Sequence, residues 1–516
     1  MQRRTIGVVL VAALVLAVAP SLAAAEPGFA PVRLMPTILG VPSTTMEAYS
    51  SVSCPTQRSC TVVGPGFLIN SQMFSPLARP TAITESGGTW GVRTALPLPG
   101  NEVASTTTSP GVSSVTCAAV ADCTAVGSYP IGAGMLAPLV ETEVAGSWTA
   151  SSVVLPGGVT GTAELTSVWC ASSTSCVALG VFQATGQSAA PMVAEETAGS
   201  WGRAVALPAY PGGGGSLPFS IACSRTGTCV AVAVGGQSVA STVAWREHGG
   251  AWGSPVALRQ PRSLQFLGIS VACPTTTTCL IGGGLLPTGT SSQAMFPAVV
   301  TETSGAWSMP RLLREPTLTP VLTEGLVTSI TCPTHTTCEA VGGFLSRASA
   351  GRARPGAYTW SKGRWSSPGM IRGVPLGKTM AYQSYFSAVS CASASTCLAI
   401  GPVRKGLGKH TLSSAFFASI TPVRSTTVPS RPTSVAVRAE PHGAVIRWGP
   451  PIDDGGAPVS RYTVMILPGG ERCTTARDAC DVGRLEAGHR YRATVTVSTA
   501  IGSSAPTVPI AFVPQR

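Results

Sequence analysis

The sequence predicts an all-β protein: a seven-bladed β-propeller of four-stranded blades, followed by a smaller β-sandwich. Three observations predict it. A phrase holding two cysteines with five residues between them recurs seven times, at a period of 50 to 63 residues. A Gly-x-Trp phrase follows six of the seven copies. Both phrases vanish after Pro422, where a different apolar–polar alternation begins. The composition agrees, with few charges, abundant Val, Gly, Ser, Thr and Pro, and no long helical periodicity.

The chain of 516 residues opens with Arg3 and Arg4, an apolar run from Ile6 to Ala19, and Ala23-Ala24-Ala25. A basic start, a short apolar run and small residues at the cleavage point read as a signal peptide over 1–25. The run falls short of the roughly 20 residues that span a bilayer, and no later stretch reaches that length. The expectation is a secreted, extracellular protein without a transmembrane segment, possessing its 16 cysteines in an oxidising compartment.

The propeller is expected over 26–421. Ser51-Val52-Ser53-Cys54 leads to Cys60 and then Thr61-Val62-Val63-Gly64. The pair returns as Cys117 and Cys123, Cys170 and Cys176, Cys223 and Cys229, Cys273 and Cys279, Cys332 and Cys338, and Cys391 and Cys397. The tryptophans that follow are Trp90, Trp148, Trp201, Trp252, Trp307 and Trp365. Each unit reads as strand a ending in the first cysteine, strand b beginning at the second, strand c like Pro297 to Thr301, and strand d starting at the Trp. Four strands in about 40 to 50 residues is the arithmetic of a propeller blade. The seventh unit lacks its Gly-x-Trp. Phe29 to Pro36 matches Trp201 to Pro208 in length and ending. This N-terminal segment is therefore expected to complete blade seven and to close the ring, removing exposed edges.

Facing residues on antiparallel strands have Cα atoms about 4.5 Å apart, within disulfide reach. Neighbouring blades stand roughly 10 Å apart, which is too far. Each pair is therefore expected to close on itself; metal binding is the weaker alternative, because zinc sites prefer tighter spacing than C-x5-C. A glutamate recurs five residues before the Trp in five units: Glu85, Glu143, Glu196, Glu247 and Glu302. A residue repeated at one turn of each blade is expected to be a hairpin or capping group; paired carboxylates for acid–base chemistry are the alternative.

A linker is expected over 422–432 and the sandwich over 433–516. Its strand-like runs are Val435–Val437, Val445–Trp448, Tyr462–Ile466 and Ala493–Val497. Trp448, the Leu485-x-x-Gly488-x-x-Tyr491 corner and the Ala500-Ile501-Gly502-Ser503-Ser504 end resemble a fibronectin type III domain. Cys473 and Cys480 depart from that pattern and are expected to form an extra hairpin disulfide. In bacterial secreted enzymes such modules are commonly spacers beside polysaccharide-active domains, which is what the resemblance implies. The cysteine phrases resemble the S-V-x-C-x5-C-x-A-V-G repeats of secreted actinobacterial-type proteins. Sialidase-like and kelch-like propellers are similar in architecture, but the sialidase S-x-D-x-G-x-x-W box is not matched.

The formal charge is +12, and it is uneven. Between Glu339 and Glu440 there is no acidic residue and there are thirteen Lys and Arg. On the face opposite the cysteines, the variable loops are expected to carry Arg347, Arg352 and Arg354, then Arg372, Lys378, Tyr382 and Tyr385, then Arg404, Lys405, Lys409 and His410. Clustered Arg and Lys with Tyr suit a glycan, an anionic envelope polymer or a protein partner. A solvated basic edge is the alternative. Nucleic acid is disfavoured by export. No G-x-S-x-G, P-loop or H-E-x-x-H occurs, and no cofactor or metal is implied. The sequence favours a monomeric binding or scaffolding protein over an enzyme, with a polysaccharide-active glycoside hydrolase, or an accessory of one, as the alternative.

Overall fold

The computed structural model describes residues 28–29, 33–34, 49–64, 79–105, 108–211, 216–224, 227–235, 241–288, 295–313, 324–345, 353–361, 363–366, 369–370, 381–407, 410–421, 428–451, 459–499 and 502–515. The expected signal peptide, 1–25, lies outside them. Within them the protein is all-β, and no helix is long and apolar enough to cross a membrane.

Unit 3 serves as the pattern. Gly161–Ser172, Ser175–Ala184 and Ala190–Thr197 form strands a, b and c, and strand d comes in two pieces, Ser200–Trp201 and Val205–Ala206. All pairings are antiparallel and sequential. Units 1, 2, 4 and 5 form separate sheets with the same order. A single row crosses the sheet of unit 3: Cys170 faces Cys176, Cys176 faces Glu196, and Glu196 faces Trp201.

The seven repeat cystines each close within one unit, with Cα atoms 3.9 to 4.1 Å apart. That is the close approach of residues directly opposed on antiparallel strands, and in units 2, 3 and 7 the register shifts just after the first cysteine to admit the turn.

Strand b is apolar without interruption because it is covered on both sides. Val177 and Leu179 enter the core shared with unit 4, while Ala178 enters the core shared with unit 2. Successive side chains of a strand point to opposite faces, so each sheet serves two cores. Among the described residues seven such cores occur. Each joins consecutive units, and one joins unit 1 to unit 7 through Val52, Val62, Ala388 and Ile400.

The repeated Ser of strand a has a structural purpose that its sequence phrase did not suggest. Strand a has no ladder partner on its free edge, so its N–H groups there need acceptors. Ser51, Ser114, Ser167, Ser220, Ser270 and Ser329 each accept from the backbone N–H two residues before the first cysteine of the next unit. Unit 7 has Ala388 at this place. There Ser390 accepts from Cys54 N–H, and Ser387 donates to the Tyr49 carbonyl.

The fourth strand of unit 7 comes from the N-terminal segment. Gly28–Phe29 and Arg33–Leu34 pair with His410–Thr421, Phe29 facing Ile420 and Arg33 facing Phe417. The offsets equal those of Trp201 on Glu196 and Val205 on Val193. One departure from seven separate sheets occurs. An added strand, Ala381–Ser384, pairs with both unit 6 and unit 7 and fuses them into one sheet of eleven strands.

The C-terminal region is a two-sheet sandwich. Pro432–Glu440, Gly443–Pro451 and Ala479–Val482 form one sheet; Arg472–Thr475, Val459–Leu467, Tyr491–Thr499 and Ile510–Phe512 form the other. Trp448, Tyr462, Val464, Ile466, Val495 and Phe512 share one core. Tyr491 Oη accepts from the Glu486 N–H, as the corner motif requires. The Cys473–Cys480 disulfide forms, but not across a hairpin. Arg472–Thr475 pairs with Val459–Leu467, whereas Ala479–Val482 pairs with Gly443–Pro451. The chain changes sheets between the two cysteines, so the bond ties the sandwich's layers together.

Candidate functional site

The repeat region has two ends, one marked by the cysteines and one by the variable loops. At the cysteine end, a cavity of about 1010 Å³ is lined by the first cysteines of units 2 to 7 together with Trp169 and His335. The sandwich contributes Val459 and Tyr462 to its lining, and His335 Nε2 donates to the Pro451 carbonyl at 2.8 Å. The fibronectin-type sandwich therefore lies against the cysteine end. No carboxylate lines this cavity.

The recurring glutamates are at the same end, on the hairpins between strands c and d. Glu143, Glu196, Glu247 and Glu302 are buried. Glu247 accepts from the Gly250 N–H of its own turn, which is the capping role. Glu302 instead pairs with Arg246 of the preceding unit. Burial raises the carboxyls of Glu143 and Glu196, and the negative charge of Asp122 raises both further. Burial also raises Glu302, outweighing the Arg246 guanidinium. Among the described residues no group of three or more His, Cys, Asp or Glu has a metal-binding arrangement.

Two further acids were not singled out by the sequence. Glu141 and Glu339 are fully buried between units. Glu141 occupies a position held by Ile83, Ala194, Trp245 and Val300 in other units, and burial pushes its carboxyl up to about 8. Thr359 Oγ1 donates to Glu339 Oε2, yet burial holds that carboxyl well above its usual range. Nothing in their sequence context marks them, because each occurs in one unit only.

At the opposite end, Arg347, Arg352, Arg372, Lys378 and Lys409 lie outside the described residues. The backbone places the others. Arg354 is on Ala353–Ser361, Tyr382 on Ala381–Ser384, and Arg404 and Lys405 on Thr396–Leu407. Ala353 faces Gln383, Gln383 faces Arg404, and Ala381 faces Lys405, so these three strands are adjacent. Tyr385 is half-buried and packs over Gly343, where an added Cβ would come within 2.6 Å of the Tyr385 Cβ. Glycine is required there by this close approach.

A fibronectin type III domain matches residues 430–513. Among curated proteins, none matches the chain. The twitchin kinase region from C. elegans is similar at 23% identity over 17% of this chain and 17% of its own, with a TM-score of 0.16. The chain thus spans about a sixth of that relative. A protein of unknown function from Dyadobacter fermentans is similar at 10% identity over 76% of this chain and 99% of its own, with a TM-score of 0.44. An ulvan lyase, described as a new polysaccharide lyase family, is similar at 9% identity over 76% and 94%, also with a TM-score of 0.44.

Proposed function

We propose that the repeats close as a seven-bladed β-propeller, and that this is an exported binding protein holding an anionic polymer on the loop face opposite its cystines. The observation that carries this reading is the adjacency of the Arg354, Tyr382 and Arg404–Lys405 strands within a stretch that has thirteen basic and no acidic residues. Convergent cations on one face raise the local concentration of polyanions and bind their carboxylate or sulfate groups with charge-assisted hydrogen bonds. The sandwich lies against the other end, which leaves this face free. Eight disulfides suit an oxidising, extracellular setting.

The test is retention of the purified protein on anionic and neutral polysaccharide columns across a salt gradient. The triple variant Arg354→Glu, Arg404→Glu, Lys405→Glu is expected to elute from the anionic column at a several-fold lower salt concentration. Equal elution of both proteins would overturn the reading. Release of new reducing ends from the same polymers would turn it into a hydrolase.

A further inference from the structure

The grooves between neighbouring units, on the outer rim, repeat like the units themselves, and two of them differ instructively. Between units 4 and 5, Arg246 reaches across to Glu302 and to the Thr276 carbonyl. The space left there, beside His248 and Trp307, is about 170 Å³. Between units 3 and 4 the equivalent groove is about 550 Å³. The position of Arg246 is taken there by Glu195, which, like Arg246, immediately precedes the recurring glutamate. No arginine bridges the groove, so it stays open.

Its lining is distinctive. The positions equivalent to Glu195 are Thr84, Thr142, Thr301 and Thr359 in units 1, 2, 5 and 6. Those equivalent to Arg203 are Val92, Ala150, Ser254, Met309 and Ser367. Unit 3 alone has an acid and an arginine at these two positions; Glu195 is on strand c, Arg203 lies between the two pieces of strand d with its guanidinium beside Gly158, and both residues line the groove and are exposed. Neither has an ion-pair partner among the described residues. Thr197 and Trp252 complete the polar and aromatic parts of the wall.

We propose that this rim groove is a second binding site, for a neutral pyranose of a polysaccharide or glycan. A sugar ring presents vicinal hydroxyls, each both donor and acceptor, around a hydrophobic C–H surface. A carboxylate accepts from two hydroxyls, a guanidinium donates to others in a fixed fork, and an indole edge with apolar Val205 covers the C–H surface. The opposite charges of Glu195 and Arg203 cancel, which favours an uncharged ligand over a polyanion. A groove of this size holds one or two sugar rings, and pockets of 300–1,000 Å³ are the usual range for small ligands. The site shares no residue with the basic loop face, and neither proposal depends on the other.

The neighbouring groove supplies the experiment. Glu195→Arg should rebuild the Arg246 bridge, with Glu247 in the place of Glu302, and so fill the groove. The full-length protein is screened on an array of neutral oligosaccharides, and the strongest binder is titrated by calorimetry. Wild type is expected to bind at least one probe. Glu195→Arg and Arg203→Ala are each expected to weaken that binding at least tenfold, while Arg246→Ala leaves it unchanged. Thermal melts serve as the control, with neither variant expected to melt below wild type. Binding to no neutral probe overturns the proposal. So does binding that survives Glu195→Arg in a protein with an unchanged melt.

Discussion

In the repeats each cystine closes a turn inside one sheet, whereas Cys473–Cys480 ties the two sheets of the sandwich to each other. The cores differ in the same sense. The sandwich has one, shared by both layers, while the repeats have seven, each between two units. The difference shows which forces hold the layers. In the sandwich a covalent bond backs the apolar core. Between units no disulfide crosses, so cohesion there rests on apolar burial, on Ser- and Thr-to-backbone hydrogen bonds and, between units 4 and 5, on the Arg246–Glu302 pair. The unit interfaces also admit buried acids, Glu141 and Glu339 among them, whereas among the described residues the buried polar residues of the sandwich are hydroxyls alone.

The largest expected effect tests that last contrast. A carboxyl that titrates near 8 when folded and near 4.5 when unfolded binds its proton more tightly in the folded state. Its stabilising contribution is therefore fully present below about 4.5 and is lost as pH rises toward 8. Glu141→Gln removes the titration. The stability of the variant relative to wild type should rise by several kcal/mol between pH 5 and pH 8.5, read by denaturant unfolding at both values. A stability difference independent of pH would remove the contrast between repeats and sandwich.

A middle-sized effect concerns the serines. Ser167→Ala leaves the Ile221 N–H without an acceptor at a buried edge. The expected loss is about 2 kcal/mol, the cost of an unsatisfied buried group. Chemical denaturation followed by tryptophan fluorescence reports it. A loss near zero would mean that apolar burial alone joins the units.

The smallest effect belongs to the sandwich. Tyr491→Phe deletes the bond from Glu486 N–H and should cost about 1 kcal/mol. Calorimetry should show the change in a sandwich transition with the repeat transition unmoved. If both shift together, the two regions unfold as one and the comparison blurs.

Periodicity decided how much was legible in the sequence. The cystines and tryptophans return in nearly every unit, so their partners could be named from spacing alone. The serines return just as often, yet their role needed the neighbouring strand's free edge, which no single unit shows. Glu141 and Glu339 break the pattern at one unit each and carry no local mark. Glu195 and Arg246 were overshadowed by the recurring glutamate beside them; aligning the seven units column by column would have exposed both as charges among threonines. The hairpin reading of Cys473 and Cys480 failed because a short spacing looks local even where the chain passes from one sheet to the other. The basic loops are the other limit: their clustering was visible as composition, but five of the eleven candidate residues lie outside the described part of the structure.

The pairing of Gly28–Phe29 with the strand ending at Thr421 sets a clock on the making of this protein. Synthesis delivers the amino terminus first, and at about 5–20 residues per second the partner strand arrives on the order of half a minute later. Until then Ile420 and Phe417 do not exist for residues 28–34 to meet. Six units can form their turns and oxidise their cysteines in the meantime, each from contiguous chain. The seventh cannot be finished by any local event. Joining the two ends is the longest-range pairing among the repeats, and it carries the largest loop-closure entropy of any pairing there. A chaperone or protease that samples the young chain therefore meets a nearly complete molecule whose first segment is still unclaimed.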